Sequence, residues 1–90
     1  MIEIKHATTQ DVLYRLEEQS LRDAHLDNAK IAGADLSNRD LRGVTFRNAD
    51  LREVNFSRAN LQGAILINAN LSRANLEFAN LQQVDMTNAF

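Results

Sequence analysis

Large apolar residues recur at every fifth position from Leu26 to Met86, and no other pattern in the chain is as regular. The thirteen positions of this central series are Leu26, Ile31, Leu36, Leu41, Phe46, Leu51, Phe56, Leu61, Leu66, Leu71, Leu76, Leu81 and Met86. Two residues before each stands a small apolar residue, alanine nine times and valine three times, with Arg39 as the exception. The residue between the two is Asp or Asn at nine of the thirteen positions. The chain is therefore built from consecutive five-residue repeats.

Neither common secondary structure produces a period of five. An α-helix repeats about every 3.6 residues and a β-strand every 2, so the central residues would scatter over all faces of a helix. The period fits a coil in which each pentapeptide is one side of a square. The small residue and the central residue then point inward, and the other three face solvent or form the corner.

The repeat resembles that of the pentapeptide-repeat family, whose loose pattern is Ala-(Asp/Asn)-Leu-x-x. Residues 59–63 and 69–73 match this pattern as they stand. The resemblance implies an all-β fold, a right-handed quadrilateral parallel β-helix in which four repeats form one coil of 20 residues. Residues 21–90 would then give just over three coils, stacked as parallel ladders. Asn28, Asn48, Asn68 and Asn88 recur at the same spacing, which predicts one column at a corner, where asparagine tolerates a left-handed backbone.

The central residues are expected to fill the axis of this coil as its structural core. The predicted core comprises Leu36, Leu41, Phe46, Leu51, Phe56, Leu61, Leu66, Leu71, Leu76 and Leu81. Such an interior is packed solid, with no room for a substrate.

Residues 1–20 do not follow the repeat and are expected to cap the open end of the coil. Ile2-Glu3-Ile4 alternates like a strand and Val12–Leu16 reads as a second one, so a hairpin is the first choice. One alternative is a helix from about Thr9 to Gln19, capped by Thr8 or Thr9. Another is a short helix capped at Ser20, because Ser20–Asp23 fits a capping box.

Composition narrows the class of protein without identifying a partner. The formal net charge is −2 and the chain has no cysteine, which excludes disulfides and thiolate metal sites and fits a cytoplasmic protein. No apolar run approaches the roughly 20 residues of a membrane span, and the N-terminus lacks the layout of a signal peptide. No membrane association and no direct nucleic-acid binding are expected.

No constellation in the sequence predicts catalysis, a cofactor site or a metal site. His6 and His25 lie in no metal-ligand spacing and beside no nucleophile, so both are interpreted as surface histidines. Asp35, Asp40, Asp50 and Asp85 occupy the position that is Asp or Asn throughout, so they are interpreted as part of the repeat rather than as paired acids. An enzyme is therefore not expected.

Five arginines lie within twenty residues: Arg39, Arg42, Arg47, Arg52 and Arg58. On a square coil Arg42, Arg47 and Arg52 point from three different sides, which favours a solvated girdle over a partner site. Arg39 occupies an inward slot, where an unpaired guanidinium would be costly. We expect it to leave the open end of the first coil and pair with Glu17 or Glu18.

The candidate contacts with a partner or a second copy of the chain are Ile65, Ile67 and Phe78, which are apolar at usually polar positions, and Met86 and Phe90 in the last coil. Ile65 and Ile67 lie on the side of the coil that carries Phe46, and Phe78 lies on the opposite side. The last coil has no evident cap. A homodimer through this end is expected, with Phe90 folding back as a plug as the alternative.

The expected function is a non-catalytic scaffold or protein-interaction module, whose protein partner the sequence does not identify. The alternative implied by the resemblance is a DNA mimic that protects a type II topoisomerase. Residues 21–90 contain eight basic and eight acidic residues, hence a net charge of zero. A neutral surface and a short rod both disfavour mimicry of a duplex.

Overall fold

The structure is a computed structural model that describes all 90 residues and contains no helix. Two strands, β1 (Ile2–Lys5) and β2 (Val12–Leu16), pair antiparallel near the N-terminus. From Leu21 onward the chain forms no long strand. Short extended segments alternate instead with turns at a period of five residues.

Parallel bridges join residues that are twenty positions apart, so the predicted twenty-residue coil is confirmed. His25 bridges to Thr45, Thr45 to Ile65, and Ile65 to Asp85, and the other three sides of the coil form equivalent columns. The N–H of each central residue from Leu26 to Leu71 donates to a carbonyl nineteen residues later, as from Leu51 to Asn70 at 2.9 Å. Residues 21–40, 41–60 and 61–80 thus form the first, second and third coils, and 81–90 begin a fourth.

Every corner of the coil has a left-handed backbone. The position two residues after each central residue has a positive φ from Asp23 to Asn88, between 58° and 79°. Asn28, Asn48, Asn68 and Asn88 are four of these positions, which confirms their predicted corner role. Glycine and asparagine suit this conformation, whereas Phe78 (φ 60°) and Arg73 (φ 62°) adopt it at a cost of about 1–2 kcal/mol each.

The Asp and Asn residues of the repeat form a turn bond with the backbone. All nine accept a hydrogen bond through Oδ1 from the N–H two residues later, at 2.9–3.3 Å. This bond satisfies an outward N–H that the parallel ladder leaves free, and it explains the preference for short side chains with an oxygen acceptor. The interpretation of Asp35, Asp40, Asp50 and Asp85 as part of the repeat is therefore confirmed.

The axis is filled by the central residues, as the core prediction requires. Leu36, Leu41, Phe46, Leu51, Phe56, Leu61 and Leu66 are fully buried, and Leu71 is nearly so. The rings of Phe46 and Phe56 meet edge to face, with centroids 6.1 Å apart. Leu76 is only partly buried and Leu81 is 37% exposed. These two depart from the prediction because no side chain of the structure packs over them on the C-terminal side.

The N-terminal segment is a hairpin, which confirms the first choice and shows that the helix over Thr9–Gln19 is wrong. Ile2 pairs with Leu16 and Ile4 with Tyr14, with an irregularity between Ile4 and Lys5. Ser20 does not cap a helix either. Its Oγ accepts the N–H of Arg22 at 3.1 Å, the same turn bond that Asp and Asn form in the repeats, so the repeat register extends back to Ser20.

The hairpin lies over the first coil through both backbone and side chains. Ala7 donates its N–H to the carbonyl of Gly33, and Asp35 donates to the carbonyl of Lys5, both at 2.9 Å. Ile4 and Leu16 are buried in the same core as the axis residues. The hairpin therefore supplies backbone partners and apolar cover at the end where no earlier coil exists.

Gly33 and Gly63 are a matched pair for testing this contact. Both occupy corners with φ near +75° (79° and 73°), but a Cβ at Gly33 would overlap the His6 ring, with Cδ2 at 2.6 Å, whereas a Cβ at Gly63 meets nothing within 4 Å. Gly63→Ala should cost about 1–2 kcal/mol through backbone conformation alone. Gly33→Ala should cost roughly 1–3 kcal/mol more, because the hairpin must shift. Urea unfolding of the two variants measures the difference, and equal losses would mean that His6 does not rest on Gly33.

Candidate binding surfaces

The interior of the coil offers no site for a ligand, because the axis is packed. The small inward residues and the central residues of the first two coils are almost completely buried, with Arg39 as the exception. The one cleft lies outside the axis, between the hairpin and the first coil, and is lined by Glu3, Lys5, His6, Gln10, Asp35 and Arg39. No group of three or more residues is arranged to hold a metal ion, and no helix could cross a membrane.

The C-terminal edge, defined here as residues 71–90, carries four of the five exposed large apolar side chains. Phe78 and Phe90 are each 78% exposed, and Leu81 and Met86 are exposed to a lesser extent. Phe90 continues the ladder, accepting the N–H of Leu71 and donating to Ala69, both at 3.0 Å. The alternative in which Phe90 folds back as a plug is therefore wrong.

Backbone donors are also free along the C-terminal edge. In the second coil Phe56 and Arg58 donate their N–H groups to the carbonyls of Asn75 and Glu77 in the third coil. The equivalent donors of the edge have no partner in the chain: Arg73, Leu76, Phe78, Leu81, Gln83, Met86 and Asn88. The edge thus combines apolar side chains with a row of unpaired donors, as an exposed edge strand does.

Phe78 occupies a corner for which it is poorly suited. It follows Asn38 and Arg58 in the same corner column, and the Arg58 guanidinium carbon lies 5.1 Å from the centroid of its ring. A cation over an aromatic face is worth about 0.5–1 kcal/mol at an exposed site, which offsets only part of the backbone cost. Most of the ring remains in solvent.

Ile65 and Ile67 form a separate apolar row on the opposite side of the coil. Ile65 lies between Thr45 and Asp85 in one bridge column, and both isoleucines are half-buried. Isoleucine replaces Asp or Asn at position 65, so the N–H of Ile67 lacks the turn bond found in nine other repeats. As the sequence indicates, this row and Phe78 belong to different surfaces.

Three of the five clustered arginines pair with carboxylates on their own side of the coil. Arg42 binds Asp40 through two bonds of 2.8 and 2.7 Å, and Arg52 binds Asp50 at 2.7 and 2.6 Å. The Arg42 side chain is the main cause that lowers the pKa of Asp40 to about 2. Arg47 pairs with Asp27 of the preceding coil at 3.4 Å. These pairs support a solvated girdle rather than a continuous basic patch.

Arg39 leaves the axis, as expected, but does not pair with Glu17 or Glu18. It is exposed and lines the cleft beside the hairpin, and it takes part in none of the ion pairs of the structure. The predicted partner is wrong because Leu16 is the last residue of β2. Glu17 and Glu18 lie beyond the paired strands, whereas Glu3 lines the cleft instead.

His6 has a structural role that sequence reasoning missed. Its Nδ1 accepts the backbone N–H groups of Thr8 and Thr9, at 3.1 and 3.2 Å. It therefore orders the turn between β1 and β2. His25 lies 3.4 Å from the Thr45 hydroxyl, through Nδ1. The spacing from His6 to Thr8 and Thr9 is a usable signal for such a turn, but it is too common to be specific.

Comparison with known proteins agrees with this geometry. The family described as pentapeptide repeats matches residues 20–58 and 55–90, with 8 copies of the repeat. Among solved structures, HetL, a pentapeptide repeat protein from the cyanobacterium Nostoc sp. strain PCC 7120, is 32% identical with a TM-score of 0.74. The match covers 78% of this chain and 33% of HetL, so this chain spans about a third of that protein.

Two further structures of pentapeptide repeat proteins match with low TM-scores. One from Nostoc PCC 7120 is 40% identical over 67% of this chain and 58% of its own, with a TM-score of 0.30. Rfr23, from the cyanobacterium Cyanothece 51142, is 27% identical over 97% of this chain and 72% of its own, with a TM-score of 0.43. No curated protein sequence matches the chain significantly.

Proposed function

Because the chain belongs to the pentapeptide-repeat family, we propose that it is a non-catalytic scaffold that binds another protein through its outer surface. In this proposal residues 21–90 form a right-handed quadrilateral β-helix, and residues 1–20 are its N-terminal cap. The single observation that carries the proposal is the distribution of apolar side chains. The axis is filled and offers no cavity, while Phe78, Leu81, Met86 and Phe90 are exposed at the C-terminal edge.

The partner that this edge fits best is a second copy of the chain. Its row of free N–H groups and free carbonyls can pair with another edge, and the same contact would bury Met86 and Phe90. A two-fold contact uses the same surface on both copies, so one edge suffices to build a closed dimer. Ile65, Ile67 and Phe78 are secondary candidates for contacts with a different protein.

Phe90→Asp is expected to convert a dimer of the chain to a monomer, because it places a charge on the apolar part of the edge. Analytical ultracentrifugation at high micromolar concentration measures this directly. Thr8→Asp is the matched control, since it adds the same charge to an exposed residue of the hairpin, at the other end of the coil. It should leave the dimer intact.

Two other outcomes would overturn the dimer proposal. A wild-type monomer at high micromolar concentration would end it. A dimer that survives Phe90→Asp but is broken by Ile65→Asp together with Ile67→Asp would place the interface on the isoleucine row instead. Either outcome would remove the contact between two C-terminal edges from the argument for a scaffold, which would then rest on the filled axis and on the other exposed apolar residues.

No observation favours topoisomerase protection. The described repeats are neutral overall, with eight basic and eight acidic residues from 21 to 90, and the whole molecule measures only 29 × 26 × 24 Å. HetL is described as involved in the regulation of heterocyst differentiation. This chain spans about a third of HetL. The cytoplasmic location expected from the sequence stays a prediction.

A further inference from the structure

Arg39 is the residue that departs most from the repeat. It occupies the inward slot that holds alanine or valine in the twelve other repeats, yet its side chain is exposed. Arg15, Arg42 and Arg52 each bind a carboxylate at 3.1 Å or less. The Arg39 guanidinium has no ion pair and no hydrogen bond within the protein, although the Arg39 backbone pairs with Leu36 and Asn60. A residue that breaks the local rule without a compensating contact is a candidate for a functional role.

The cleft beside Arg39 is polar and large enough for a small molecule. Its volume is about 330 Å³ and no apolar residue lines it, which is at the lower end of the range of roughly 300–1,000 Å³ for small-molecule sites. The cleft lies where the hairpin meets the first coil, so the hairpin forms one wall and the first coil forms the other.

Both carboxylates of the cleft are already engaged by other groups. Glu3 accepts a hydrogen bond from Arg15 at 3.1 Å through Oε2, and Lys5 approaches its Oε1 at 4.0 Å. Asp35 accepts from both the N–H and the hydroxyl of Ser37, at 3.0 and 2.7 Å. Neither acid therefore holds Arg39 in a direct pair. The pKa of Asp35 is lowered mainly by the hydrogen bonds from Ser37, with a further contribution from the charge of Arg39.

His6 adds a second uncommitted donor. Because its Nδ1 accepts the N–H groups of Thr8 and Thr9, the neutral ring carries its proton on Nε2. That N–H has no hydrogen-bond partner within the protein. Arg39, His6 and Lys5 all line the cleft, and the Nε2 side of the His6 ring also lies against Gly33.

From this arrangement we propose that the cleft binds the anionic group of a small molecule, a carboxylate or a phosphate, with Arg39 as its principal contact. A guanidinium presents a planar fork of donors that matches two oxygens of either group. The site lies at the opposite end of the coil from the C-terminal edge, so the inference is independent of the scaffold proposal.

The test is a titration of the isotope-labelled chain with inorganic phosphate and, separately, with acetate, at constant ionic strength. The amide signals of Thr8, Thr9 and Gly33 report on the cleft by NMR. Wild-type chain should show saturable shifts of these signals in the millimolar range, and Arg39→Ala should weaken the binding about tenfold through loss of a charge-assisted contact. Tighter binding of phosphate than of acetate would identify the anionic group as a phosphate. Tighter binding of acetate would identify it as a carboxylate.

The variants separate binding from folding. Alanine is the residue of the repeat at this slot, so Arg39→Ala should melt at the same temperature as wild type or higher. Arg73→Asn is the matched control, because it removes an exposed arginine without an ion pair from the third coil and asparagine suits its left-handed backbone. It should titrate like wild type. Absence of saturable shifts in wild type, or equal binding by wild type and Arg39→Ala, would overturn the proposal.

Discussion

Leu51→Asp is expected to unfold the chain, whereas Arg52→Asp should lower its stability by at most about 1 kcal/mol. Leu51 is fully buried on the axis of the second coil, between the first coil and the third. Truncating a buried leucine costs about 2–5 kcal/mol, and an unpaired carboxylate adds a desolvation cost. The sum approaches the whole stability of a small domain, about 5–15 kcal/mol.

Arg52 is the adjacent residue and lies on the surface. It forms an exposed pair with Asp50 at 2.6 Å, and such pairs contribute little to stability. Leu71→Asp should fall between the two, because Leu71 is the last axis residue that the structure nearly buries. Thermal melts followed by circular dichroism rank the three variants. Equal losses for Leu51→Asp and Arg52→Asp would contradict the assignment of inward and outward positions.

Ile4→Asp should cost several kcal/mol, although Ile4 lies in the hairpin rather than in the repeats. Its side chain is completely buried against the first coil, so a carboxylate at this position loses both packing and hydration. Arg15→Ala is the control, because it removes the exposed pair with Glu3 at 3.1 Å and should cost less than about 1 kcal/mol.

Urea unfolding at neutral pH measures both hairpin variants. If Ile4→Asp were as mild as Arg15→Ala, the hairpin would not be part of the core, and the first coil would be stable without its cover.

The axis and corners could be predicted from the sequence because each repeat contacts mainly its neighbours. In a one-dimensional stack the environment of Leu51 is nearly the same as that of Leu61. The position of a residue within its five-residue repeat therefore also determines whether its side chain is buried in the folded protein. The spacing between Asn28 and Asn48 likewise indicated that one coil contains twenty residues. The core prediction failed at Leu81, because no further coil of the structure packs over this residue.

The surroundings of Arg39 could not be predicted in the same way. They depend on the register of a hairpin with an irregularity between Ile4 and Lys5, where Leu13 of β2 is the extra residue, and no residue type in either strand signals such an irregularity. That register places Glu3, not Glu17 or Glu18, on the cleft. The role of His6 in the turn was missed for a different reason, because its bonds to Thr8 and Thr9 are local and leave no periodic signal.

The central claim is that the chain stacks on itself every twenty residues, and NMR tests it most directly. Nuclear Overhauser cross-peaks between backbone protons should join Asp50 to Asn70 and Asn55 to Asn75, the pairs that the structure places in parallel bridges. Cross-peaks at this spacing along the whole repeat region are the expected result. Contacts at a different spacing, or the short-range pattern of a helix, would contradict the stacked coil.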